Sequence, residues 1–145
     1  MRKILVAVDA SDPAGMSAAV AEAVRIYAQG PVEVHLLNVQ PAVNGHVAMF
    51  FGDRELHELQ QAAGAEDLAA AEALLRTSNV PCTSSVRIGR CAETIARTAR
   101  ELGCDRVVLG REGAAASFAS KVFGSLAQQV RQLLAGGGNC QVIGA

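Results

Sequence analysis

The stretch Val107-Val108-Leu109-Gly110-Arg111-Glu112-Gly113, which runs on to Gly124-Ser125 at the head of another apolar-periodic segment, decides how this chain is read. A short unalternated apolar run suits a strand covered on both faces. The glycines that follow let a backbone adopt positive φ and approach an anion closely. A helix opening at Gly124-Ser125 would point its free N–H groups and the positive end of its dipole at the same place. Two readings fit this window. It is a phosphate cradle at a strand end, or Gly110 ends the strand, Gly113 makes a turn and Ser125 caps a helix.

Outward from this window, strand and helix patterns alternate in both directions. Ile4 to Val8 is a β-branched apolar run bounded by Asp9. Ser11-Asp12-Pro13 then supplies a capping residue with Pro at the first helical position, and Met16, Val20, Val24 and Tyr27 recur at helical spacing until Gly30-Pro31. Val32 to Val39 predicts a second strand, ended by Gln40-Pro41. Ala42 to Asp53 has no convincing period and reads as a mobile loop carrying Met49, Phe50 and Phe51. Glu55 to Ser78 predicts a long Ala-rich helix whose apolar stripe is Leu56, Leu59, Ala63, Ala70 and Leu74, with Gly64 as a flaw in its middle.

Asn79-Val80-Pro81 breaks that helix, and Cys82 to Ile88 predicts a third strand near an edge. Ala92, Ile95, Ala96, Ala99 and Leu102 then mark one helix face, with Gly103 as a left-handed stop. Beyond the glycine window, Val122, Leu126, Val130, Leu133 and Leu134 give a last helix ended by Gly136-Gly137-Gly138, and Cys140 to Ile143 is a short terminal strand. The expected fold is therefore α/β. It is a single-domain, Rossmann-like open sheet over residues 1–145, five-stranded and mostly parallel, with helices on both faces.

Composition supports this class and removes others. The chain has 145 residues, enough for one domain that buries roughly 68–70% of its unfolded surface. Half the residues are hydrophobic but only 3% are aromatic, so the core has to be aliphatic, as in parallel sheets packed on Ala-rich helices. A net charge of −1 supplies no field for a polyanion, which argues against nucleic acid. Cys82, Cys91, Cys104 and Cys140 are widely spaced with no C-x-x-C pair, suiting free thiols in a reducing compartment. The apolar run at the N-terminus is shorter than that of a signal peptide and no run would span a bilayer, so a cytoplasmic protein without a membrane role is expected.

In sheets of this kind ligands collect outside the carboxyl ends of the strands, where the strand order reverses. The polar residues of this chain fall there: Asp9-Ala10-Ser11 after the first strand, Gln40-Pro41 after the second, and the Gly110 window after the fourth. His35 lies inside a strand and reads as a paired core or edge histidine. His46 and His57 fall in the loop and on a helix face. None has a partner that makes a catalytic pair, and no carboxylate cluster has metal-ligand spacing.

These residues resemble a known family, the universal stress proteins, over nearly the whole chain. Ile4-Leu5-Val6-Ala7-Val8-Asp9-Ala10-Ser11 resembles that family's opening strand with its V-D-x-S ending, and Leu36-Leu37-Asn38-Val39 its second strand. Ile88-Gly89, Ala92-Glu93-Thr94-Ile95 and Leu102 through Gly110 resemble the segment G-x-x-A-E-x-I…L-G-x-D-x-I-V-x-G. In the nucleotide-binding branch the signature is G-x-x-G, nine residues, then G-[S/T]. Gly110, Gly113, Gly124 and Ser125 match it, with ten intervening residues, with Ala114-Ala115-Ala116 replacing small polar and basic residues, and with Glu112 where phosphates would approach.

The resemblance implies an ATP-binding, nucleotide-dependent regulatory or stress-response module with at most slow hydrolysis, and Mg²⁺ held only through the nucleotide phosphates. Asp9 would contact the adenine or ribose end, with the backbone near Ala7, Val39 and Leu109 lining the base pocket. Gly110, Gly113, Gly124 and Ser125 would hold ribose and phosphates. The terminal strand Cys140 to Ile143 would pair across a two-fold axis to close a homodimer. Taken singly, Asp9 also fits a turn cap, Ser125 an N-cap and Val39 plain core. Two further readings stand beside this one: a nucleotide-free dimeric interaction module of the same fold, and an adenine-nucleotide hydrolase or transferase.

Overall fold

A computed structural model describes residues 2–9, 13–40, 52–110, 126–136 and 140–144. The elements within them run β1 (Arg2–Ala7), α1 (Pro13–Gln29), β2 (Val32–Gln40), α2 (Asp53–Thr77), β3 (Cys82–Ile88), α3 (Cys91–Leu102), β4 (Arg106–Leu109), α4 (Leu126–Leu134) and β5 (Gln141–Gly144). All five strands are parallel, in the order β3-β2-β1-β4-β5. Pro13 is the first residue of α1, the position where its missing N–H costs nothing. The strands begin and end within two residues of where the sequence pattern predicts them, and β3 lies at an edge.

Helix ends follow from local chemistry. Gly103 adopts φ 67°, its N–H bonds Arg100 O, and the Cys104 N–H reaches Ala99 O at 2.9 Å, which closes α3 with a Schellman arrangement. Asn79 does the same for α2 at φ 58°, with its own N–H on Arg76 O and the Val80 N–H on Leu75 O. Asparagine tolerates that region better than other residues with a Cβ.

Two apolar clusters sandwich the sheet. Ile4, Val6, Val34 and Leu36 meet Ala19, Val20, Ala23 and Ile26 of α1 and Leu68, Ala71 and Leu75 of α2. Leu5, Leu37, Val107 and Leu109 turn the other way onto Ala92, Ile95, Ala96 and Ala99 of α3 and Val130 and Leu134 of α4. This is why the strands read as unalternated apolar runs: both faces of each central strand leave water. Each fully buried Leu, Ile or Val contributes about 1.5–3 kcal/mol of transfer free energy.

One sequence expectation is corrected here. The buried face of α2 is Gly64, Leu68, Ala71 and Leu75, whereas Leu59 and Leu74 are exposed and Ala63 and Ala70 face solvent. An Ala-rich helix offers two stripes of nearly equal apolarity about one residue apart, and packing selects between them. Gly64, read as a flaw, sits at the contact: a Cβ there would lie 2.5 Å from Val86 Cγ1 and 3.1 Å from Asn38 Oδ1. Its bare Cα is what lets α2 approach β2 and β3.

Candidate functional site

The strand order places the reversal between β1 and β4, since the chain moves outward from β1 to β3 on one side and from β4 to β5 on the other. The ladder between β1 and β4 ends at Val6↔Val108. The ladder between β1 and β2 runs on to Ala7↔Leu37 and is extended by the Val8 N–H donating to Leu37 O at 2.8 Å. At their carboxyl ends, β1 and β4 are therefore the pair whose ladder stops first, which is where a ligand can enter an open α/β sheet.

Five of the residues singled out in the sequence lie at this end. Ala7, Val39 and Leu109 belong to one apolar cluster, on the face covered by α3 and α4. Leu109 is buried in that cluster. Asp9 is exposed and stands two residues beyond Ala7. Its charge reaches Cys91, the first residue of α3: the Cys91 thiol is pushed up to about 11, by desolvation first and by Asp9 second. Gly113, Gly124 and Ser125 lie outside the described residues, as do residues 42–51 of the expected loop.

Gly110 stands at the end of β4 for a reason the sequence did not reveal. A Cβ on it would lie 2.6 Å from the carbonyl oxygen of Gly15 and 2.7–2.8 Å from that residue's other backbone atoms. The first turn of α1 thus packs directly on the strand end, and backbone atoms cannot swing aside as a side chain can. The close approach also sets the α1 N-terminus, with its positive dipole end, beside the exit of β4.

The described residues add a polar cluster that the sequence reading left out. Asn38 is 3% exposed on β2. Its Nδ2 donates to Val8 O at 3.0 Å and to Asp67 Oδ2 of α2 at 3.2 Å, while its Oδ1 accepts from Gln40 Nε2 at 2.7 Å. The orientation of the amide follows from its partners, because a flipped amide would set oxygen against oxygen at Val8 and Asp67. The Gly89 N–H, at φ 154°, donates to Gln40 O and ties the β3 exit to the same corner. A single amide in the run Leu36-Leu37-Asn38-Val39 was the available signal, since a buried amide has to be hydrogen-bonded.

His35 is paired, as expected of a strand histidine: its two ring nitrogens lie 2.7 Å from Thr83 Oγ1 and 2.8 Å from Ser85 Oγ. Desolvation, with Arg87 adding to it, holds the imidazole below its ordinary pKa. A cavity of about 340 Å³ opens at the opposite, amino end of the sheet, lined by Arg2, Ile26, Pro31, Asp105 and Arg106 among others. It is remote from the reversal point and from every strand-end residue named above. No helix among the described residues is long and apolar enough to cross a membrane.

An all-parallel β3-β2-β1-β4-β5 sheet with helices on both faces, Asp9 at the β1 exit and Gly110 at the β4 exit, defines a Rossmann-like α/β protein. The chain belongs to the universal stress protein family, whose model matches residues 1–134. Solved structures of similar fold include a universal stress protein from Burkholderia pseudomallei at 21% identity and TM-score 0.68, covering 99% of this chain and 96% of that one. Another, from Archaeoglobus fulgidus in complex with dAMP, is 20% identical with TM-score 0.64 over 99% and 96%. A family member from Arabidopsis thaliana with AMP bound is 16% identical with TM-score 0.60 over 99% and 90%. Among curated proteins, none matches.

Proposed function

We propose that this protein binds an adenine nucleotide, ATP, at the carboxyl ends of β1 and β4, and that nucleotide occupancy biases a conformation or partner surface in a cytoplasmic stress response. The observation that supports this is that Asp9 follows β1 and Gly110 follows β4, the adjacent strands between which the strand order reverses. Asp9 suits the adenine amino group or the ribose hydroxyls as an acceptor, with the backbone of Ala7, Val39 and Leu109 against the base. Gly110, Gly113, Gly124 and Ser125 take the ribose and phosphates, and Mg²⁺ enters only through those phosphates. The dAMP and AMP held by the two structural neighbours support an adenine ligand. No residue is assigned to catalysis, and hydrolysis is at most slow.

The β5 strand (Gln141–Gly144) pairs with β4 alone among the described strands, and Arg131 of α4 donates to Val142 O at 3.2 Å. The same proposal places a homodimer on this edge, through Cys140 to Ile143. The competing reading, a nucleotide-free dimeric module, draws on Gly110, whose missing side chain is already explained by its packing on Gly15.

Thermal unfolding titrated with ATP and Mg²⁺ separates the two. Ligand at about a hundred times its Kd adds about 2.7 kcal/mol, a rise of roughly 5–10 °C for a domain of this size. An unchanged Tm at millimolar ATP refutes the binding reading. Phosphate release well above a slow background would instead favour an enzyme, and sedimentation at the 15.0 kDa chain mass would remove the dimer.

A further inference from the structure

We infer that Asn38 is the positioning residue of this site, fixing the β1 exit and through it Asp9. The inference rests on the nucleotide reading above, but its structural half stands without it. Val8 is where the β1–β2 ladder gives out: its N–H still bonds Leu37 O, and its carbonyl is taken by the Asn38 side chain. The peptide group so held is the one that joins Val8 to Asp9. A carbonyl at this depth needs a donor, and Val8 itself is 4% exposed.

Asn38 is in turn held from two directions. Asp67 reaches it from α2, and Gln40 from two residues along β2, so that both its donors and its acceptor are engaged. No buried side-chain polar atom among the described residues lacks a partner. Gly64 completes the arrangement, since any Cβ there would press on Asn38 Oδ1 and on Val86. The glycine thus brings α2 within reach of Asn38, which Asp67 orients, and Asn38 sets the plane of the Val8–Asp9 peptide. A satisfied buried network of this kind fixes one geometry, which is what a binding carboxylate requires.

The test uses two variants of the full chain, with adenosine and ATP as probes. Asn38→Asp keeps the shape but sets an oxygen against Val8 O and a second carboxylate beside Asp67. The double variant Asn38→Asp with Asp67→Asn restores the bond to α2, because the amide at 67 donates to the carboxylate at 38, yet it leaves Val8 O without its donor. The expected result is that Asn38→Asp lowers both Tm and affinity. Adenosine and ATP should weaken by the same factor, about tenfold, equivalent to about 1.4 kcal/mol, because the adenosine end is common to both. The double variant should recover the part of the Tm that belongs to the bond with α2, but not the part lost at Val8 O, and little of the affinity.

Recovery of affinity together with Tm would reduce Asn38 to a structural residue, and a loss confined to ATP would place its effect at the phosphates. Either outcome overturns the inference. Absence of binding in the unsubstituted chain refutes the nucleotide reading instead. The structural half is then read from the ligand-free protein by NMR. The Asp9 amide shares the peptide whose carbonyl Asn38 holds, so its resonance should move in both variants, and an unmoved Asp9 amide refutes the positioning role.

Discussion

The two neighbours of β1 part from it differently at the carboxyl end of the sheet. On the β2 side, hydrogen bonding runs past the ladder through Val8, and Asn38, Gln40 and Asp67 join β1, β2 and α2, with the Gly89 N–H adding β3. On the β4 side the ladder stops at Val6↔Val108, and the strand exit is set by backbone packing of Gly110 on Gly15. One side is fixed by directional hydrogen bonds of side chains and backbone, the other by close contact of bare backbones. A site between strands needs both: an anchored wall to hold the recognition group, and an opposite wall that ends early enough to admit a ligand.

The sharpest way to break this comparison is at Gly110. Gly110→Val would drive a branched side chain into the Gly15 backbone, at the upper end of the usual overpacking cost, about 3 kcal/mol. Chemical denaturation measures it, and an unchanged midpoint would mean that packing on α1 does not set the β4 exit. The matching change on the anchored side is milder. Gly64→Ala gains about 1 kcal/mol of helix propensity against about 1–3 kcal/mol of overpacking on Val86 and Asn38. A net loss of about 1 kcal/mol is expected, and adding Val86→Ala should recover much of it, a coupling read by a double-mutant cycle.

A smaller effect tests how far the anchored side extends towards β3. The folded-state pKa of His35 lies below its unfolded value, so above about pH 6.5 both states are neutral and the residue contributes no slope. As pH falls below that, the unfolded chain takes up the proton first, and stability is lost until the folded pKa is passed. Urea unfolding between pH 7.5 and 5 should show this loss relative to a His35→Gln variant, and parallel curves would contradict it.

The smallest effect probes the open side. Cys91 should alkylate slowly at pH 8, because its thiol is held near 11. Asp9→Asn should speed that reaction by less than about tenfold, since desolvation outweighs the Asp9 charge. Peptide mapping after timed iodoacetamide treatment resolves it from Cys82, Cys104 and Cys140, and an unchanged rate would separate Asp9 from the α3 N-terminus.

Legibility in the sequence followed how steeply each pattern falls off. In α3, Ala92, Ile95, Ala96 and Ala99 are buried as their spacing requires, because charged residues occupy the opposite face and leave one solution. In α2 the many alanines make neighbouring stripes nearly equivalent, and Leu59 and Leu74 stand on the stripe that faces solvent. Gly64 and Gly110 were visible as glycines, but what each makes room for lies on an element distant in sequence. Asn38 was visible as an amide in an apolar strand, and its partners Val8 and Asp67 stand about 30 residues away on either side.

The sequence by itself determined the alternation of strands and helices, most of their boundaries, the burial of both sheet faces, and the strand ends at which polar residues gather. These are properties of short windows, where periodicity, proline, glycine and capping act within a few residues. The strand order, the face that α2 buries, the packing of Gly110 on Gly15 and the hold of Asn38 on Val8 were decided only by the tertiary structure. Each is a contact between segments far apart in the chain, and one local pattern is compatible with several such pairings until packing and hydrogen-bond satisfaction select one.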